Sequence, residues 1–338
     1  VDGIPFKAGE IKMNQKKHDL IEEVKKRGEV INKAIEYLIP IKDPEGLYRA
    51  ARHLIDAGGK RLRPVMCLIA SEAIGVKCER AVKAAVAVET IHNFTLIHDD
   101  IMDRDEMRRG VKTVHTLYGE PTAILAGDTL FAKAFSILSE SDFEAENIVK
   151  ACRMLADVCV EICEGQYIDM SFENMSLKEV GEEEYIEMVR KKTAVLIACS
   201  CAISAVLAGE NEFAESLWKF GEYCGIGFQI HDDVLDLVGK EKIGKDWGSD
   251  LLEGKKTLIV IEAAKRGIEV PVFGKKKANA DEIEKSVRML EECGAIEYAK
   301  NKAKHFVEMG KKELKKLPES EAKDLLESIA DYLVSRDH

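Results

Sequence analysis

Two aspartate-rich phrases carry the chemistry that this chain advertises. Residues 96–110 read LIHDDIMDRDEMRRG, and residues 228–237 read FQIHDDVLDL. Each places an Ile-His pair before adjacent aspartates and one more: Asp99, Asp100 and Asp103 in the first, Asp232, Asp233 and Asp236 in the second. On a helix, Asp99 and Asp103 share a face one turn apart. Like charges so placed repel. The first set closes an apolar run over residues 84–101, where bare carboxylates are costly. A solvated acidic face would interleave Lys or Arg at that spacing, so a cation is expected at the site instead. Ligands that are all oxygen, with no His or Cys at metal-binding spacing, favour a hard ion, Mg²⁺ before Zn²⁺. One such phrase is a common product of surface helices. Two, each led by IHDD and each closing an apolar helix, are hard to assign to surface composition.

Cations are clustered to match. Residues 58–64, GGKRLRP, begin with two glycines that end a helix and let backbone approach a ligand. Lys60, Arg61 and Arg63 follow. Helix-terminal cations of the ordinary kind and an anion site both account for this cluster. Arg108 and Arg109 close the first aspartate phrase. Lys191-Lys192-Thr193 marks the change from polar to apolar within a helix predicted over Glu182–Ala208, either as a simple amphipathic transition or as a cation and hydroxyl held at a solvent boundary. Lys245 and Lys255-Lys256 stand beside glycines near a helix start, an arrangement suited to phosphate oxygens, although surface loops also carry lysines. Taken together, carboxylates would hold Mg²⁺, the ions would hold a diphosphate, and Lys and Arg would neutralise the remainder. Apolar helix walls imply a hydrocarbon substrate body. His98 and His231 read as hydrogen-bonded core histidines and are assigned no catalysis.

The elements that must position these groups are helical. Aromatics are 6% of the chain, and Ala, Leu, Ile, Glu and Lys dominate, which favours helix over sheet. Helices are predicted over residues 15–38, 45–57, 65–74, 81–103, 122–139, 142–170, 182–208, 212–238, 281–293, 295–315 and 319–334. Turn-rich chain follows Gly110, a loop spans 240–250, and 267–280 is an exposed connection. No strand is convincing. The 338 residues suggest two domains by length alone. With 7 prolines and no Ser/Gly/Pro-rich linker, one large all-α bundle around a central hydrophobic cavity is the better expectation, over residues 13–338. Residues 1–12 are set aside as an expression scar or frayed terminus. A net charge of −11 argues against nucleic acid. The 9 scattered cysteines, with no CxxC pair, point to reduced core thiols and a cytoplasmic protein. The longest apolar run, residues 194–208, is short for a membrane span, so no transmembrane segment is expected.

The order and spacing of GGKRLRP, DDIMD followed by RRG, Lys192-Thr193, FQIHDDVLD and GKDWGSDLLEGKKT resemble the trans-isoprenyl diphosphate synthases, the farnesyl and geranylgeranyl diphosphate synthase family. The resemblance is strong over residues 50–261 and looser beyond. It implies an all-helical bundle, a homodimer, and head-to-tail joining of isopentenyl diphosphate to an allylic diphosphate (dimethylallyl, geranyl or farnesyl). Carried over residue by residue, it implies that Asp99 and Asp103 ligate two Mg²⁺ ions and Asp232 a third, with Asp100, Asp233 and Asp236 in support. Arg108, Lys192, Lys245 and Lys255 would grip the allylic diphosphate; Lys60, Arg63, His92 and Arg109 would hold isopentenyl diphosphate. Thr193 and Gln229 would turn oxygens toward the allylic carbons.

Two other readings use parts of the same pattern. A class I terpene cyclase shares the ionisation chemistry, but typically lacks the GGKRLRP subsite and carries an Asn/Ser/Glu triad in place of the second aspartate phrase. A non-catalytic partner subunit or isoprenoid carrier needs a hydrocarbon pocket but not both phrases. Product length points to Phe94 and Thr95, five and four positions before Asp99. An ideal wheel places Thr95 about 40° from Asp99 and Phe94 about 140° away, so geometry alone selects Thr95 as tunnel lining. In the resembled family, aromatics at both positions limit the chain. With one aromatic and a small Thr95, this sequence looks like the archaeal-type geranylgeranyl diphosphate synthases, making C20 with some C15.

Overall fold

A computed structural model describes residues 8–239 and 247–336, with side chains from residue 20 onward. The architecture is all-α, as predicted, and its contacts gather into two compact units. The first takes in the chain up to Ala156 with Cys199–Glu215 and Leu317–Ser328; the second takes in Asp157–Ala198, Ser216–Lys316 and the chain from Ile329.

In the first unit, α1 (Ala8–Leu38), α2 (Glu45–Asp56), α3 (Leu62–Ala73) and α4 (Cys78–Asp103) are followed by a hairpin of β1 (Met107–Arg108) and β2 (Val111–Lys112), then α5 (Val114–Tyr118) and α6 (Glu120–Ser139). Helix α4 packs on α3 and α6. Ala84, Ala85, Val86, Ala87, Val88, Glu89, Thr90 and Ile91 are all buried, more than two turns without an exposed face. A helix apolar on every side belongs in a core, and this one delivers its last turn, the first aspartate phrase, to the unit's edge.

Three expectations need correction here. Helix α1 starts at Ala8, so part of the segment set aside is helical. Helix α3 starts at Leu62 rather than residue 65, because Pro64 is tolerated in a first turn, where its missing N–H has no intrahelical partner to lose. The turn-rich chain after Gly110 belongs to a hairpin and a short helix. Arg109 and Gly110 take φ of 52° and 76°, the two left-handed positions that a tight hairpin turn requires. Paired strands of two residues are too short for alternation to show in sequence.

The second unit takes α7 (Ala145–Glu173) from Asp157 onward, α8 (Glu182–Val189), a π-helical turn (Arg190–Ala194), the first turn of α9 (Val195–Ala208) and α10 (Asn211–Val238) from Ser216 onward. After the undescribed residues come α11 (Ser249–Glu253), α12 (Leu258–Lys265), α13 (Ala280–Glu292), α14 (Ala295–Glu313) and a 3₁₀ turn (Leu314–Lys316); α15 (Glu321–Leu333) belongs to the first unit up to Ser328 and to the second from Ile329. Ile226, Ile230, Val234 and Leu237 form the apolar stripe of α10, buried with Leu258, Ile259, Ala299 and Ala303 of α12 and α14. Interior glycines cost about 1 kcal/mol in a helix. Gly225 and Gly221 are retained because a Cβ would stand 2.6 Å from Ala194 Cα or Ala198 Cα, so α10 lies backbone to backbone against the π turn and the start of α9. Among the described residues, two stretches, Glu120–Ser139 and Glu182–Ala208, are long and apolar enough to cross a membrane; the apolar part of the second is 72% buried, as in a core helix.

Candidate active site

The second unit assembles a small cavity of about 40 Å³ lined by Asp169, Tyr185, Lys192, Thr193, Gln229, Asp233, Lys255, Lys256 and Thr257, with Met188 and Val189 as its apolar part. Lys192 and Thr193 reach it from the π turn. An inserted residue shifts the helical register, and such turns are common at functional positions. Gly165 of α7 makes room for the turn: a Cβ there would lie 2.3 Å from the Lys192 backbone nitrogen. Lys192 Nζ donates to Asp169 Oδ2 at 2.6 Å. Thr193 Oγ1 donates to Gln229 Oε1 at 3.1 Å, and Gln229 Nε2 donates to Asp233 Oδ1 at 3.0 Å. Tyr185 OH donates to the other oxygen, Asp233 Oδ2, at 2.6 Å.

Electrostatics follow from this packing. Burial pushes the Asp233 carboxyl up, the Asp250 charge adds to that, and Lys255 opposes it. Burial and Asp233 together push the Tyr185 phenol up, so it stays a donor. Burial alone would lower the Lys255 ammonium, but Asp250, Asp233 and Asp169 outweigh it and the net direction is up. Lys255 Nζ donates to Asp250 Oδ1 at 3.2 Å. Asp236 is spent on local structure: it accepts from Ser249 Oγ at 3.0 Å and from the Asp250 backbone N–H at 3.2 Å, at the start of α11.

The first unit gathers the remaining groups. Gly58 and Gly59, with φ of 95° and 146°, follow α2. Arg109 covers them, its guanidinium carbon 3.2 Å from where a Gly59 Cβ would sit. Arg109 Nη1 donates to Gly58 O at 2.7 Å, Leu54 O at 2.8 Å and Asn93 Oδ1 at 3.3 Å. Arg63, on the first turn of α3, brings Nη1 to 3.3 Å from His92 Nε2. Burial, then Arg63, Arg109, Arg108 and Arg61, hold His92 far below the usual imidazole range, so it is neutral and can accept. Burial lowers Arg63 to about 10 and leaves its Nε without a partner. This half-buried cation thus has donor capacity to spare for an anion. Arg61 is different: left-handed at φ 49°, it pairs with buried Glu89 at 2.9 Å and donates to Asn32 Oδ1 at 2.9 Å. Of the adjacent cations, this one is structural. Lys60 beside it is exposed.

At the end of α4, Asp99 is half-buried, Asp103 exposed and Asp100 fully buried. Asp100 Oδ1 accepts from Arg108 Nε, and Arg108 Nη2 donates to Asp105 Oδ2 at 3.1 Å. Burial pushes the Asp100 carboxyl up to about 6 against the pull of Arg108. Phe94 faces α6, with ring centroids 5.2 Å from Phe131 and 4.8 Å from His98. Thr95 Oγ1 donates to His92 O at 2.8 Å.

A sequence profile of the polyprenyl synthetase family matches residues 44–290. The chain belongs to the polyprenyl synthetase family. It is 60% identical to the geranylgeranyl pyrophosphate synthase of Geoglobus acetivorans over 94% of its length and 99% of the relative's. It is 45% identical to the geranylfarnesyl diphosphate synthase of Natronomonas pharaonis over 93% and 97%. The solved structure of the G. acetivorans geranylgeranyl pyrophosphate synthetase superimposes with a TM-score of 0.88 at 57% identity, covering 93% of this chain and 99% of that one. The trans-isoprenyl diphosphate synthase resemblance drawn from the motifs is therefore correct.

Within this synthase, one unit brings together Lys192, Thr193, Gln229, Asp233 and Lys255, and the other brings together Arg63, His92 and Arg109. Lys245 lies outside the described residues. Sequence reasoning missed Asp169 and Tyr185, which hold Lys192 and Asp233. Gly165 was a usable signal, because a mid-helix glycine marks a close backbone approach. The proposed metal donors are carboxylate oxygens, which fits Mg²⁺. Among the described residues, no three His, Cys, Asp or Glu side chains form a metal cage of their own.

Proposed function

We propose that this synthase condenses isopentenyl diphosphate with allylic diphosphates to make geranylgeranyl diphosphate, with some farnesyl diphosphate. The observation that carries the reading is the cavity in the second unit, where three lysines, a Thr-Gln pair of oxygens and a fixed carboxylate converge. Residues 13–338 act as one synthase domain; the family match runs through sequence of both units. Asp99 and Asp103 would hold two Mg²⁺ ions and Asp232 a third, with Asp100, Asp233 and Asp236 in support. When bound, Mg²⁺ supplies positive charge to the departing diphosphate.

The chain's own groups do the rest. Lys192, Lys255, Arg108 and, outside the described residues, Lys245 neutralise the allylic diphosphate, a preorganised electrostatic effect. The allylic C–O bond breaks and its electron pair leaves with the diphosphate. Thr193 and Gln229 stabilise the cation through oxygen dipoles. Lys60, Arg63, His92 and Arg109 hold isopentenyl diphosphate so that its double bond attacks the allylic carbon. The released diphosphate takes the proton that restores the new double bond. Met188 and Val189 keep water from the cation.

The synthase works as a cytoplasmic homodimer. Support comes from Ile124, Leu125 and Phe131 of α6, which are 41%, 57% and 37% exposed, an apolar face that a second copy would cover. Incubation with labelled isopentenyl diphosphate, an allylic diphosphate and Mg²⁺ tests the reading. Chain extension to C20 is expected; a cyclic hydrocarbon or no turnover would overturn it.

A further inference from the structure

The second aspartate phrase already has a cation on it. Arg336 donates from Nη2 to Asp232 Oδ1 in a direct ion pair. Its guanidinium carbon lies 4.4 Å from the centroid of the Phe228 ring, and its carbonyl accepts from His231 Nε2 at 2.9 Å. Phe228, His231 and Asp232 stand at i, i+3 and i+4 on α10, so one patch of the helix surface takes all three contacts. The Arg336 side chain is 11% exposed and that of Asp232 36%.

The pairing differs from its neighbours in one respect. Lys192, Lys255 and Arg108 pair with Asp169, Asp250 and Asp100, none of which is proposed as a direct metal ligand. Arg336 pairs with one that is. The grip is also incomplete: Arg336 Nε is buried without a partner, so the pair is not the two-pronged fork that makes Arg–carboxylate pairs strong. Part of Asp232 remains open to solvent, where an incoming ion can reach it.

We propose that Arg336 is an internal counter-cation of Asp232, holding that carboxylate in place until divalent metal and diphosphate displace it. The inference rests on the assignment of Asp232 as a metal ligand. Arg336 thereby competes with the metal, and the cation–π contact with Phe228 keeps it close enough to return after product leaves.

Mn²⁺ binding tests this, measured by the electron paramagnetic resonance of the free ion with inorganic diphosphate present and no prenyl substrate. Arg336→Gln should tighten the weakest Mn²⁺ site about three- to tenfold, the range expected for loss of a half-buried competing ion pair. Arg336→Lys should stay near wild type. In an Asp232→Asn background, adding Arg336→Gln should change nothing. If Asp232→Asn weakens Mn²⁺ binding while Arg336→Gln leaves it unchanged or weaker, Asp232 is a ligand, Arg336 is only an anchor or a diphosphate contact, and the proposal is wrong. If Asp232→Asn leaves Mn²⁺ binding intact, the metal assignment itself fails and the proposal falls with it.

Discussion

The two aspartate phrases are nearly the same in sequence and are held in opposite ways. At the end of α4, Asp99 and Asp103 reach toward solvent and only Asp100 is buried, gripped by a charge, Arg108. At the end of α10, Asp233 and Asp236 are both buried. Asp233 is held by neutral donors, Tyr185 and Gln229, and Asp236 by Ser249 and a backbone N–H. The first phrase therefore presents two carboxylates that solvent reaches, and the second presents one, Asp232, which Arg336 already holds. Repetition in sequence conceals an asymmetry set by what each helix end packs against.

The largest expected effect follows from that asymmetry. Asp99→Ala or Asp103→Ala should lower kcat by about a thousandfold or more, the scale of lost transition-state electrostatics. The helical fold should survive, since relief of like-charge repulsion offsets the lost group. Asp236→Asn keeps one oxygen to accept from the Asp250 backbone N–H and turns its amide NH2 toward Ser249 Oγ, a hydroxyl that can accept, and should cost far less, about tenfold. Equal losses at Asp103 and Asp236 in a steady-state assay would erase the distinction between the phrases.

An intermediate effect separates the two basic groups. Arg63→Ala and Lys60→Ala in the first unit should raise KM for isopentenyl diphosphate about ten- to a hundredfold, as loss of a charge-assisted contact does. Lys255→Ala in the second should act on the allylic substrate. If all three raise KM for the same substrate, there is a single anion subsite.

The smallest effect on rate should accompany the clearest change in product. Thr95→Phe should shorten the product toward C15 by filling the tunnel beside α4. Phe94→Ala should lengthen it beyond C20 by opening the floor where Phe94 meets Phe131. Reverse-phase analysis of dephosphorylated products reads both. An unchanged profile in both variants would place the floor on another helix.

Most of this was legible in the sequence because the signals were local. The buried α4 announced itself through residues 84–91, and the cation clusters through their glycines. Non-local features were not legible. The π turn under Lys192 depends on Gly165 and Gly225, about 30 positions away in each direction, admitting backbone where a Cβ would clash. Arg61, Lys60 and Arg63 look alike in GGKRLRP, and only the left-handed turn and buried Glu89 make Arg61 structural. Arg336 gave no signal at all, since nothing in its neighbourhood points to Asp232 more than 100 positions earlier.

The most direct test of the asymmetry is a count of metal ions. Mn²⁺ bound at saturation should be measured with inorganic diphosphate for wild type, Asp103→Ala and Asp236→Asn. Three ions are expected for wild type and for Asp236→Asn, and fewer for Asp103→Ala. Loss of an ion in Asp236→Asn, or a full complement in Asp103→Ala, would contradict the account.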